Sequence, residues 1–322
     1  MTEALVEIGI GATRALVLDG DRVIEVHVER DDWGPRAGAR LNGRLAQILV
    51  PGRRGIVRWD GGEGLLEPLP AITEGAALSV EVVREAIPEA ARPRLPKLRA
   101  IPATSPAPGP DLAARLAAAG HRIVPLSGHG EDRLEAAGWS EQIEMAHAGH
   151  VPFPGGLLTI SPTPAMTVID VDGPGDTEAL AVAAASAAAA AIRRFGITGS
   201  IGIDFPTLGS KAARQAVAAA IDAALPLPFE RTAVNGFGFL QLVRPRLRPA
   251  LVEAVRAPGF VALELLRRAS RAAPGPQTLS GSPAVIAWLA ARPQLIDALA
   301  RRIGGAVTLP GPGGSATGGG HG

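Results

Sequence analysis

The chain has 322 residues, with 32 Lys plus Arg against 31 Asp plus Glu, a formal net charge of +1 and no cysteine. That length can fill two or three domains, and the lack of cysteine excludes disulfides, thiolate metal sites and a cysteine nucleophile. The near-neutral balance carries no signature of nucleic-acid binding by itself. Aromatic residues make up only 3%, so the core has to come from Ala, Val, Leu and Ile. No charge-free apolar run reaches the roughly 18 residues of a membrane span, and the first residues lack a basic-then-apolar leader. The expectation is a cytoplasmic protein without a membrane span. Lys97 and Lys211 are the only lysines, an arginine bias that genomic base composition explains as well as phosphate binding does.

Three alternating segments, Ala4 to Ile10, Arg14 to Leu18 and Arg22 to Glu29, with short turns between them, predict a β-meander over 1–35. Gly9-Ile-Gly11 follows a strand but lacks the third glycine and the helix of a dinucleotide loop, so that motif is rejected. Five further strands, Ala39 to Val50, Gly55 to Trp59, Gly64 to Glu67, Ala77 to Arg84 and Arg94 to Ile101, fit a small OB-type barrel over 36–101. Such barrels bind single strands by combining cations with aromatic platforms. Arg40, Arg44, Arg53, Arg54 and Arg58 supply the charge, while Trp59 is the only aromatic among these strands. Two readings stay open for this surface, RNA contact and a solvated arginine-decorated face.

A Pro-rich linker (102–110) and a small α/β connection reaching residue 150 come next: a helix capped by Asp111, a strand from His121 to Leu126, and helix from Glu131 to Ala148. His121, His129, His147 and His150 have no ligand spacing and read as surface residues. The remainder, 151–310, alternates as an α/β domain. Its strands are Gly156 to Ile160, Met166 to Asp172, Ile201 to Asp204, Glu230 to Val234, Phe239 to Arg244 and Ala306 to Leu309. Helices are expected at Asp176 to Phe195, Ser210 to Ala224, Gly259 to Ala272 and Pro283 to Arg302. Residues 311–322, with His321, read as a flexible, disordered tail.

The chemistry concentrates in the β-α-β unit from Met166 to Phe205. Both strands end in acid, and a crossover of this kind makes them parallel, so Asp170, Asp172 and Asp204 should meet at one sheet edge. Asp170 and Asp172 share a face because side chains alternate along a strand. Clustered carboxylates beside apolar residues raise a pKa or hold a cation, and hard oxygen donors without Cys or His suit Mg²⁺, with Mn²⁺ as a substitute. The alternative is local: a strand-end acid, a turn at Asp172-Gly-Pro-Gly and a cap at Asp204.

Three segments carry a family resemblance: Met166-Thr-Val-Ile-Asp170-Val-Asp172-Gly173, Gly199-Ser-Ile-Gly-Ile-Asp204-Phe205 and Val234-Asn-Gly-Phe-Gly-Phe-Leu-Gln-Leu-Val243-Arg244. In order and spacing they resemble catalytic-domain signatures of the bacterial ribonuclease E/G family. Trp139-Ser-Glu-Gln-Ile-Glu144, Val151-Pro-Phe-Pro-Gly-Gly156 and Ser282-Pro-Ala-Val are similar to flanking family segments. The meander interrupted by a barrel resembles the family's ribonuclease-H-like segment with its inserted OB-type domain.

The resemblance implies a Mg²⁺-dependent endoribonuclease acting on single-stranded RNA by in-line displacement at phosphorus, with 151–310 as its catalytic domain. Asp170 and Asp204 match the two metal-binding catalytic aspartates, and Asp172 stands where the family usually has Asn. Arg40, Arg44, Arg54, Arg58, Lys97 and Arg244 are the residues expected to contact RNA. The family's zinc-binding Cys-Pro-x-Cys link has no counterpart near Arg256-Ala-Pro-Gly259, which excludes zinc and a zinc-linked dimer while leaving other homo-oligomers open. No Arg-Thr pair resembling the family's 5′-monophosphate sensor occurs between Ile101 and Gly138, and alanines (Ala183 to Ala185, Ala187 to Ala191) replace polar residues after the first aspartate. These departures keep a second reading in play, an RNA-binding accessory protein without turnover, and a third, a phosphohydrolase acting on small phosphodiesters.

Overall fold

The computed structural model describes residues 1–87, 94–128 and 130–310. The readings made for His129, for 311–322 and for His321 lie outside the described residues. The chain opens as the meander β1 (Glu3–Gly9), β2 (Ala12–Asp19) and β3 (Arg22–Arg30). It then enters a closed barrel of β4 (Arg40–Val50), β5 (Arg54–Trp59), β6 (Gly62–Leu66), β7 (Ala77–Arg84) and β8 (Lys97–Ile101), ordered β4-β5-β6-β8-β7. Alternation along these strands turns Leu45, Val57, Leu66, Val80, Val82 and Leu98 into a core of their own. The strands entering and leaving the barrel meet where Arg40 and Ala107 exchange backbone hydrogen bonds of 2.9 and 3.0 Å.

Asp111 accepts from the Ala114 N–H and starts α1 (Leu112–Ala118), after which β9 (Arg122–Leu126) pairs parallel with β1. The meander thereby becomes a four-stranded sheet, β3-β2-β1-β9, a long-range pairing with no local signal in the sequence.

Past α2 (Arg133–Ala136) and α3 (Trp139–Ala148), a six-stranded sheet forms in the order β10-β11-β12-β13-β15-β14. Its strands are β10 (His150–Phe153), β11 (Gly156–Pro162), β12 (Thr167–Asp172), β13 (Gly199–Asp204), β14 (Glu230–Arg231) and β15 (Phe239–Arg244). Only β12 and β13 run parallel, joined by α4 (Thr177–Arg194); α5 (Lys211–Ala224) follows β13.

The Ala-rich composition of α4 has a packing cause. The helix contacts β3 of one sheet and β10, β11 and β12 of the other, with Ala181, Ala184, Ala185, Ala188 and Ala189 fully buried in the core shared by both sheets. Small side chains let two sheets close onto one helix at native density. The alanines after the first aspartate therefore build the central layer.

The last fifth of the described chain adds α6 (Leu251–Ala254), α7 (Pro258–Arg271), β16 (Gln277–Thr278), α8 (Pro283–Ala290), α9 (Pro293–Ile303) and β17 (Val307–Thr308). A single helix from Pro283 to Arg302 was expected. Arg292 instead adopts φ −135° and ψ 61°, because the Pro293 ring disfavours helical backbone at the residue before it. The strand expected at Glu230 to Val234 shrinks to Glu230–Arg231. Helix α7 is latched to the N-terminal sheet by charge. Fully buried Arg14 donates to Glu264 Oε1 at 2.7 Å and to the Leu263 carbonyl at 2.8 Å, while Trp139 Nε1 donates to Glu264 Oε2 at 2.8 Å. Nearby, Arg267 bonds Glu7 at 2.8 Å and Asp132 at 2.6 Å. Among the described residues no helix is long and apolar enough to cross a membrane.

Candidate functional site

Strand β12 buries Thr167, Ile169 and Val171 and exposes Asp170 and Asp172, the alternation a half-buried strand requires. Ile201, Gly202 and Ile203 of β13 are buried, and Asp204 emerges at its end. The parallel register pairs Asp170 directly with Asp204. Residues paired in register project to the same face of a sheet, so the three carboxylates share one edge, as the crossover argument predicts.

The edge is electrostatically loaded. Burial pushes the Asp170 carboxyl up from its ordinary value, and the charges of Asp172 and Asp204 push it further, against a hydrogen bond from the Val171 N–H. Among the described residues no Arg, Lys or His forms an ion pair with any of the three. The carboxylates thus have the donor chemistry for a hard divalent cation and no protein cation competing for it. Nor, among the described residues, does any group of three or more His, Asp or Glu converge into a cage. The arrangement suits Mg²⁺, which uses one or two carboxylates and keeps much of its water.

Neighbouring elements shape the edge. The Phe239 ring lies over Gly202, where an added Cβ would come within 2.5 Å of it, and Phe239 is the register partner of Asp204. The loop before β15 presses onto the chain just after Asp204: Phe205 N–H donates to the Gly238 carbonyl at 3.2 Å. Gly238 has φ +92°, and a Cβ there would sit 2.2 Å from the Phe205 carbonyl oxygen, so only glycine fits. Helices α4 and α5 also begin on this side, following Asp172 and Asp204 in the chain. Asp176 caps α4, Ser210 caps α5, and Ser210 Oγ donates to Glu178 Oε1 at 3.3 Å, which brings the two N-termini together. The sequence reading missed this pairing of N-termini, although the capping residues Asp176 and Ser210 were visible signals for it.

The arginines expected to contact RNA are scattered. Arg54 and Lys97 both pair with Glu67, at 3.0 and 2.9 Å, and Arg58 pairs with Glu63 at 3.0 Å. Arg40 reaches Thr104 Oγ1 at 3.4 Å and Arg44 the Gly75 carbonyl at 3.0 Å. Trp59 is half-buried against the barrel core instead of standing out as a platform. Arg244 lies opposite Gly199, at the far end of β13 from Asp204, roughly 16 Å away at 3.3 Å per residue. It lines a cavity of about 560 Å³ together with Glu25, His27, Arg115, Arg193 and Arg248, so it belongs to another part of the molecule. There Arg193 pairs with Glu25 and Arg248 with Glu85, each at 2.9 Å.

No curated relative matches the chain. Residues 111–247 match the Ribonuclease E/G family. That span begins at the cap of α1, contains Asp170, Asp172 and Asp204, and ends just past β15, so the segment that carries the carboxylate edge is the part of the chain similar to the Ribonuclease E/G family.

Proposed function

We propose that the protein is an endoribonuclease that cleaves single-stranded RNA at the edge formed by Asp170, Asp172 and Asp204, with Mg²⁺ as its cofactor and Mn²⁺ able to replace it. The family match supports a ribonuclease-type function. The observation that carries the finer reading is the register of Asp170 with Asp204 on adjacent parallel strands inside the matched segment. Asp170 and Asp204 are the principal ligands and Asp172 reinforces their charge. When bound, a divalent cation supplies Lewis-acid neutralisation of charge on the phosphate oxygens.

The chain's own groups do the rest. Asp176 and Ser210 fix the starts of α4 and α5, the helices that follow Asp172 and Asp204 in the chain. The Phe239 ring over Gly202 keeps one side of the carboxylates apolar, and in such surroundings electrostatic contacts to a phosphodiester are strengthened. The barrel, read as OB-type, offers Arg40, Arg44, Arg54, Arg58 and Lys97 to the RNA backbone as an exposed charged surface with shared carboxylate partners. Cytosolic RNA processing or turnover fits this chemistry.

The test is cleavage of single-stranded RNA in the presence and absence of Mg²⁺ by wild type, Asp170→Asn and Asp204→Asn. Metal-dependent cleavage that both substitutions abolish is the expected result; equal cutting by all three assigns the activity to another site or a contaminant. One observation favours a second reading, an RNA-binding accessory protein without turnover: the carboxylates form an open edge and no three-ligand cage among the described residues. Salt-dependent RNA binding with no cleavage under any divalent metal would select it.

A further inference from the structure

Phe237 is 82% exposed, and among the described residues it is the only Phe or Trp in the set of exposed large hydrophobics, in a chain with seven Phe and four Trp. A floppy loop would explain such a ring, but this loop is pinned. Asn235 Oδ1 accepts from the N–H groups of Phe237 and Phe239 at 2.9 and 3.0 Å, and Asn235 N–H donates to the Phe239 carbonyl at 3.0 Å. Gly238 N–H returns to the Asn235 carbonyl at 3.2 Å, and the Gly238 carbonyl is held by Phe205. The backbone carrying the ring is therefore fixed from both sides, two positions from the register partner of Asp204.

We infer that Phe237 is a base-stacking platform, on which an unpaired nucleobase flanking the phosphodiester at Asp170 and Asp204 lies. The inference rests on the ribonuclease reading and deepens it. An aromatic face offered to water from a pinned backbone fits a ligand that brings its own flat π-surface, since every base has one and stacking needs no sequence match. A protein partner fits less well, because such interfaces need a contiguous apolar patch of several hundred Å². Phe237 instead stands between glycines, and Gly236 has open space where a side chain would be. Pre-fixing the backbone that carries the ring also lowers the ordering cost of binding. The barrel, whose Trp59 is half-buried, does not provide this contact, so the stacking element sits beside the chemistry.

The experiment is equilibrium binding of a labelled single-stranded oligoribonucleotide in the Asp204→Asn background, which stops turnover. Phe237→Ala and Phe237→Leu should each weaken binding about tenfold, while Phe237→Tyr and Phe237→Trp stay within about twofold, the range base–aromatic stacking supports. A series of oligonucleotides with one abasic position each should contain one that reproduces the loss, and that lesion should cost nothing further in Phe237→Ala. Unchanged binding by Phe237→Ala, a Leu variant as good as Phe, or additive effects of lesion and substitution would overturn the stack alone. Failure of protein with Phe237 intact to bind single-stranded RNA would overturn the ribonuclease reading itself, and the stack with it.

Discussion

Replacing Asp170 by Asn should make the metal-free protein more stable while removing its activity. The carboxyl of Asp170 titrates above its ordinary value because of partial burial and the charges of Asp172 and Asp204. An acid whose folded pKa is raised binds its proton more tightly in the folded state. Its ionisation therefore opposes folding, and the penalty is absent below the unfolded value of 3.8 and complete above the raised folded value. Same-face neighbours in a sheet stand about 5–7 Å apart. Each of the two neighbouring charges at that distance repels Asp170 by about 0.7 kcal/mol in a water-like medium, and low salt screens little of this, so the relief is on the order of 1 kcal/mol. Thermal melts should show Asp170→Asn about 2–4 °C above wild type at pH 7 and low salt, converging with it near pH 3. Mg²⁺ should reverse the order: at ten times its Kd a bound ion stabilises wild type by about 1.4 kcal/mol and the variant far less. A variant that melts below wild type at pH 7 without metal, or that gains as much from Mg²⁺, would refute the argument.

Other consequences can be checked separately. Glu264→Gln leaves the guanidinium of fully buried Arg14 without its counter-charge, so denaturant unfolding should show a loss of about 3–5 kcal/mol. Burial alone would raise the Glu25 carboxyl, but the hydrogen bonds and charges of His27 and Arg193 outweigh it and hold it at about 2, down from 4.5. Its stabilising effect is therefore full above 4.5 and lost as pH falls toward 2, and Glu25→Gln should flatten the fall in Tm across that window. Arg115 and Arg122, between the barrel and α2, are occupied by Glu29 and Glu3. Cleavage rates for 5′-monophosphate and 5′-hydroxyl forms of one RNA should therefore differ by less than about threefold, and a preference of about tenfold or more would reveal a phosphate sensor.

The carboxylate edge was legible because two local rules sufficed. β-branched residues ending in acid marked β12 and β13, and the crossover rule made the strands parallel, which brought Asp170 and Asp204 into register. What local rules lack is partner choice. Nothing in Arg122–Leu126 announces that it joins β1, because parallel pairing across an inserted barrel depends on which edge remains free. The alanines of α4 announced a helix but not the two sheets around it, since small residues on several faces blur the amphipathic pattern. Pro293 was a readable stop signal that the apolar pattern from Pro283 to Arg302 overrode. Phe237 was visible as a letter, whereas its exposure depends on the turn built by Asn235.

The closure of the barrel at Arg40 and Ala107 bears on how such chains change over evolution. Backbone-paired antiparallel residues stand about 5.5 Å apart, a gap that two residues can bridge. The excursion through β4–β8 therefore leaves and returns at nearly one point, and β3 and α1 would face each other much as they do now if it were shortened, enlarged or exchanged. The chief tether to re-create is Glu85, which accepts from Arg248 at 2.9 Å and from the Ala37 N–H at 3.2 Å. A lineage can thus trade the barrel for another module with different ligand preferences while the carboxylate edge is inherited intact.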